Sequence, residues 1–267
     1  VEVQAPYGYA LDKTPVAFSV SSENAEKENS LTIVKVEKKN TAQKGKISVR
    51  KTGDIFTSVT TASSAYTNEN GEMIVNPTTY TPVFAGEGLS GAVFQVIAVE
   101  DIVTPDGTTR AYARDVVSEI TTDENGYAET EPLYLGKYEV RETKAPYGYV
   151  LNNKPKDVEL TYAGQEFEVR DTVNTAFENE YQSVRISLSK VMESDELFGI
   201  YGKDYYTSVR FGLFAAEDIT AADGSVIPAD GLISEVSLDE NMTAVIAEKI
   251  PFGRYYVQEI ATDEHYV

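Results

Sequence analysis

The 267-residue chain has no cysteine, no tryptophan and one histidine, His265. Without cysteine there are no disulfides, thiolate metal sites or cysteine nucleophile. A single histidine excludes a multi-histidine metal centre. It also leaves one candidate base for a Ser-His-Asp arrangement, with no nucleophile motif beside it. His265 reads as an exposed or strand-edge residue. Basic side chains are scarce too: 23 Lys and Arg stand against 43 Asp and Glu, a net charge of −20. Phosphate binding needs clustered cations, so nucleic acid is not an expected partner, and an anionic membrane surface is disfavoured for the same reason. No apolar run reaches 18 residues, so no membrane insertion is expected in this segment. No cofactor and no metal site is implied.

What is present reads as globular: 42% hydrophobic residues and 18 tyrosines, in a length that predicts about two domains. The stretch "VEVQAPYGYALDKTP" (1–15) returns as "RETKAPYGYVLNNKP" (141–155). Further blocks repeat: "KISVRKTG" (46–53) with "RISLSKVM" (185–192), "ITTDENGYAE" (120–129) with "VSLDENMTAV" (236–245), and "LGKYEVRETKAPYGY" (135–149) with "FGRYYVQEIATDEHY" (252–266). The offset falls from 139 at the first block to 117 at the last. The difference of 22 predicts an insertion in the middle repeat, within the Ser/Thr/Asn-rich stretch 54–88. The expected order is the closing part of one repeat (1–43), a complete repeat (44–182) and the opening part of a third (183–267). Val1 and Val267 then fall partway through repeats, and the sequence reads as a piece of a longer protein.

Period-two runs such as "KISVRK", "AVFQVIAV" and "KYEVRE", separated by "NENGE", "DENGY", "PDGTT" and "ADGSV", predict strands and tight turns throughout. The expected class is all-β, one β-sandwich per repeat. The "DEN" turns lack the ligand spacing of a calcium loop and read as hairpin turns.

Alternation places three kinds of polar residue on the apolar face. Lys51 follows Ile47 and Val49, and Lys190 follows Ile186 and Leu188. Glu142 follows Tyr138 and Val140, Glu259 follows Tyr255 and Val257, and Glu2 holds the same repeat position. Asn179 follows Phe177, and Asn40 aligns with it. Each asparagine precedes the next lysine by 11 residues, from 40 to 51 and from 179 to 190. An inward charge is costly, so its recurrence at fixed positions points to chemistry. Burial disfavours the charged form of an amine. A neutral Lys51 amine could attack the Asn179 carboxamide, with Glu142 stabilising the intermediate and relaying protons to departing ammonia. The product is a Lys–Asn isopeptide bond, a single-turnover reaction rather than an enzyme's activity on an external substrate.

The elements "GKISVRKTG", "GLSGAVFQV", "TTDENG" and "LGKYEVRETKAPYGY" resemble the B-type repeat domains of collagen-binding surface proteins, the SpaA-like modules of Gram-positive pilins and adhesins. The resemblance implies tandem immunoglobulin-like (transthyretin-like) sandwiches in a rod-like array. By position it implies reactive lysines at Lys51 and Lys190, catalytic acids at Glu2, Glu142 and Glu259, and acceptors at Asn40 and Asn179. The third repeat departs from the motif, with "ATDEHY" in place of A-P-x-G-Y. The expected function is a crosslinked stalk of a cell-wall-anchored surface protein, partnered by adjacent repeats. The alternative is a recognition module that binds a host matrix protein or glycan through 54–88 and nearby loops. Tyr66, Tyr80, Tyr112 and Tyr205 could line such a surface, although ordinary packing is the simpler expectation. A head-to-tail arrangement, Lys190 of one molecule meeting Asn40 of another, is the alternative to neighbours in one longer chain.

Overall fold

In the computed structural model residues 1–20, 26–28, 31–191, 197 and 208–262 are described. His265 and Tyr205 lie outside the described residues. Among the described residues every regular element is a β-strand, as the alternating runs predict. The chain divides into two compact units. One comprises 1–52, 88–146 and 151–178, the other 53–87, 147–150 and 179–267.

In the first unit one sheet has the order Val116–Thr121, Val93–Ala98, Gly136–Lys144, Lys156–Leu160, all antiparallel. Facing it, Tyr127–Glu129 and Val173–Asn179 both pair with the long strand Ile47–Ala62, whose residues 47–52 belong to this unit. Side chains alternate as a half-buried strand requires: in Val93–Ala98 every second residue is buried, namely Phe94, Val96 and Ala98. Ile47, Val49, Phe94, Val96, Tyr138, Val140, Leu160 and Phe177 fill the space between the sheets. Each large side chain sealed there contributes about 2 kcal/mol through its apolar area.

In the second unit Arg210–Ala215 lies between Leu232–Ser237 and Tyr255–Ala261, while Val184–Ser189 pairs with Thr243–Glu248. Its core is built on Leu213, Ile227, Ile233 and Ile246. The stretch 53–87 belongs here. Strand Thr79–Gly88 pairs in parallel at Leu232↔Thr79, and Phe56, Val59 and Tyr80 pack against the core. Ala222 and Asp223 donate backbone hydrogen bonds to the carbonyls of Phe56 and Thr57. The short hairpin Ala65–Thr67 with Met73–Val75 exposes Tyr66, Met73 and Val75.

The internal repeat is legible in hydrogen bonds. The Tyr138 hydroxyl donates to the Tyr134 carbonyl and the Tyr255 hydroxyl to that of Pro251, each at 2.6 Å. Asp123 and Asp239 each accept the backbone N–H groups two and four residues ahead. These carboxylates cap turns, as the hairpin reading expected. Among the described residues no acidic or histidine cluster could hold a metal ion.

Candidate functional site

Lys51 is fixed from both sides of its strand. Its N–H donates to the Gly126 carbonyl at 2.7 Å, and its carbonyl accepts from Leu89 N at 3.0 Å. Gly126 sits at φ +74, where a Cβ would lie 2.2 Å from the Lys51 carbonyl oxygen; at Gly88 a Cβ would lie 2.1 Å from that of Asn125. Only glycine allows this approach. The Lys51 side chain is fully buried. Its amine makes no hydrogen bond, and the Glu142 Oε1 atom stands 3.7 Å away. Loss of water pushes the Lys51 pKa down, and the neighbouring Glu142 charge only partly offsets this. A larger fraction of the amine is therefore neutral at a given pH.

Glu142 lies on Gly136–Lys144 with Tyr138 and Val140, all three buried on one face. It sits opposite Phe94, and its Oε2 accepts from Asn152 N at 2.9 Å. The Phe94 and Phe177 rings pack at 4.8 Å. Two residues beyond Phe177 on the same face, Asn179 ends the strand Val173–Asn179 with its side chain buried. That strand is registered by Val173 N donating to the Lys46 carbonyl and by the Thr175 hydroxyl donating to that of Ser48, both at 2.9 Å.

The other repeat positions show matching contacts. Asn40 Nδ2 donates to both Glu2 oxygens, at 2.9 and 2.7 Å. Lys190 Nζ donates to Glu259 Oε2 at 2.6 Å. The Lys190 N–H bonds the Met242 carbonyl, as that of Lys51 bonds Gly126. Lys190 and Glu259 keep 28% and 27% of their side-chain exposure, against none for Lys51 and Glu142. The fully dry pair is therefore that of the middle repeat. Alternation had missed the backbone donors to the glutamates: Asp12 N bonds Glu2 as Asn152 N bonds Glu142. Each lies ten residues past its glutamate, a regularity present in the repeat itself. Of the surface tyrosines, Tyr66 and Tyr112 are exposed, while Tyr80 packs against the second unit's core.

Residues 84–175 match the family model described as the SpaA prealbumin-like fold domain, so the family resemblance carried by the motifs is borne out over that stretch. No curated protein matches the chain. Among solved structures it is similar to the Bacillus anthracis TIE protein, at 21% identity over 85% of this chain and 30% of that one, TM-score 0.49. It is also similar to GBS52, the minor pilin of Streptococcus agalactiae, at 16% identity over 58% of this chain and 50% of that one, TM-score 0.29. A third is BcpA, the major pilin subunit of Bacillus cereus, at 15% identity over 84% of this chain and 66% of that one, TM-score 0.33. The chain thus spans less than a third of the first of these proteins and half of the second.

Proposed function

We propose that the chain is a structural module of a Gram-positive cell-wall-anchored surface protein, a stalk or pilus-like element strengthened by a self-catalysed isopeptide bond between Lys51 and Asn179. The observation that carries this reading is the dry Lys51–Glu142 pair: an amine without a hydrogen bond, 3.7 Å from a carboxyl group, both side chains sealed from solvent. Such a pair is a poor stabilising ion pair, because desolvation outweighs much of the attraction. It is well suited to delivering a neutral nucleophile beside a proton relay. Asn179 supplies the electrophile, on a strand that pairs with the one carrying Lys51. Nζ attacks Cγ, the Cγ–Nδ2 bond breaks, and Glu142 carries protons from the attacking amine to the leaving nitrogen, which departs as ammonia. Folding holds the reactants together and supplies much of the rate.

The bond would tie the first strand of the middle repeat to its last. In the chain-entropy picture a covalent closure of this length stabilises by about 5 kcal/mol, in a chain that has no cysteine. Pulling force would then pass through the crosslink rather than through the core. Glu2 with Asn40 and Lys190 with Glu259 are the corresponding parts of flanking sites, which makes successive repeats the chain's nearest partners. Intact mass spectrometry tests the proposal. The wild-type chain should be lighter than its sequence by one ammonia. Lys51→Ala and Asn179→Ala should carry the full mass, and Glu142→Gln should stay uncrosslinked after purification. A wild-type chain of full mass overturns the reading.

The recognition alternative rests on the exposed apolar side chains of the hairpin at 65–75. Removing that hairpin would abolish binding to a matrix protein or glycan if it were the contact surface, and would leave the crosslink intact.

A further inference from the structure

Past the A-P-Y-G-Y element the chain reads "ALDKTP" (10–15) in one copy and "VLNNKP" (150–155) in the other, which aligns Asp12 with Asn152. Short Asp and Asn side chains bond the backbone just ahead of them. Asp12 Oδ1 accepts the Thr14 N–H at 2.8 Å, and Asn152 Oδ1 accepts that of Lys154 at 3.2 Å. The backbone N–H of each goes to the glutamate, Asp12 N to Glu2 Oε2 at 3.1 Å and Asn152 N to Glu142 Oε2 at 2.9 Å. The second polar atom of each side chain reaches the segment that carries the acceptor asparagine. Asp12 Oδ2 pairs with Lys38 Nζ at 3.3 Å, and Asn152 Nδ2 donates to the Glu178 carbonyl at 3.0 Å. Lys38 stands two residues before Asn40, and Glu178 one before Asn179. Glu2 and Glu142, Asp12 and Asn152, Lys38 and Glu178 are each 140 residues apart, so the two copies build the same tie.

The tie bears on where the carboxyl group points. In the first copy, with Asp12 N on Oε2, the Glu2 carboxylate also receives Asn40 Nδ2 at 2.9 and 2.7 Å. Nδ2 is the nitrogen that has to leave in the crosslinking reaction. In the middle repeat the Asn152 N–H takes Oε2, and Oε1 faces the Lys51 amine at 3.7 Å. A displacement of about 1 Å in such a relay can cost a rate factor of about 100.

We propose that Asn152 is a positioning residue for the crosslink, holding the Glu142 carboxyl and the acceptor strand in one frame; this rests on the Lys51–Asn179 reading. Oε1 takes one proton from the attacking Nζ and gives one to Nδ2, which departs as ammonia, while Oε2 stays on the Asn152 N–H. Asp12 is the counterpart in the preceding repeat, where an ion pair replaces the amide–carbonyl bond.

Intact mass followed over time on the freshly synthesised full chain tests it. Asn152→Asp keeps the Oδ1 cap on Lys154 and removes the donor to Glu178, so ammonia loss should slow about ten-fold. Adding Glu178→Lys rebuilds the pairing of Asp12 with Lys38. It should restore the rate to that of Glu178→Lys alone, which carries the same change of charge near Lys51. Amide exchange at 94–98 should be the same in all of them. The positioning role is overturned by an Asn152→Asp chain that reacts as fast as wild type, or by a double variant no faster than Asn152→Asp. Faster exchange at 94–98 in Asn152→Asp overturns it too, since the slower reaction would then follow a weakened fold. A wild-type chain of full mass overturns the crosslink and the tie together, which separates that failure from the others.

Discussion

A single amine decides most of the chemistry. Lys51 is fully buried and its amine makes no hydrogen bond, and its pKa lies below the usual 10.5 because burial outweighs the attraction of Glu142. The sign of the pH effect follows. Between the depressed folded value and 10.5 the unfolded chain binds the extra proton, so the uncrosslinked fold gains stability as pH rises through that window. Asn179→Ala, which cannot react, should unfold at higher denaturant as pH goes from 7 towards 10, measured against Asn179→Ala/Lys51→Met. A flat or falling difference would mean the lysine is not desolvated. Period-two counting was enough to place Lys51, Glu142 and Asn179 inward, because strand geometry alone fixes which face a side chain occupies. It could not distinguish the sealed middle pair from the half-exposed Lys190 and Glu259, since solvent access depends on which strands and loops cover the site.

At the level of elements, turns carry the repeat as firmly as strands do. The Asp-capped turns at 123–127 and 239–243 superimpose in their hydrogen bonds, with Gly126 in one and Met242 in the other at positive φ. The sequence signals "DENG" and "DENM" were readable as turns because aspartate caps its own backbone. The fate of 54–88 was less readable. The repeat offset marks the stretch only as an insertion of the middle repeat, yet 53–62 and 79–87 form strands whose partly buried Phe56, Val59 and Tyr80 pack against the second unit's core. Their core was invisible because its partners, such as Leu213 and Ile246, lie more than a hundred residues away. A local cost remains at Arg114, an exposed residue at φ +76. Arg114→Gly keeps the backbone bond to Ala98 and removes the left-handed penalty of an L side chain. That relief of about 1–2 kcal/mol is offset by the extra freedom of glycine in the unfolded chain, about 0.5–1 kcal/mol, so the first unit should gain up to about 1 kcal/mol, measured by chemical denaturation.

For the molecule as a whole, charge is the dominant long-range term. With 43 acidic against 23 basic residues, folding concentrates like charge, and the repulsion is screened as ionic strength rises. The melting temperature should therefore climb between about 10 mM and about 150 mM sodium chloride, where the Debye length shrinks from about 30 Å to about 8 Å. A fall would show that attractive surface pairs such as Lys46–Glu129 dominate instead. The paired phenols of Tyr138 and Tyr255, each donating to a backbone carbonyl four residues back, have a spectroscopic consequence. Burial holds both above the ordinary tyrosine range and pushes Tyr149 up to about 12. In a chain with no indole, near-ultraviolet absorbance belongs to tyrosine, so alkaline titration should resolve surface phenolates first and core phenolates only as each sandwich opens, a label-free readout built into the molecule.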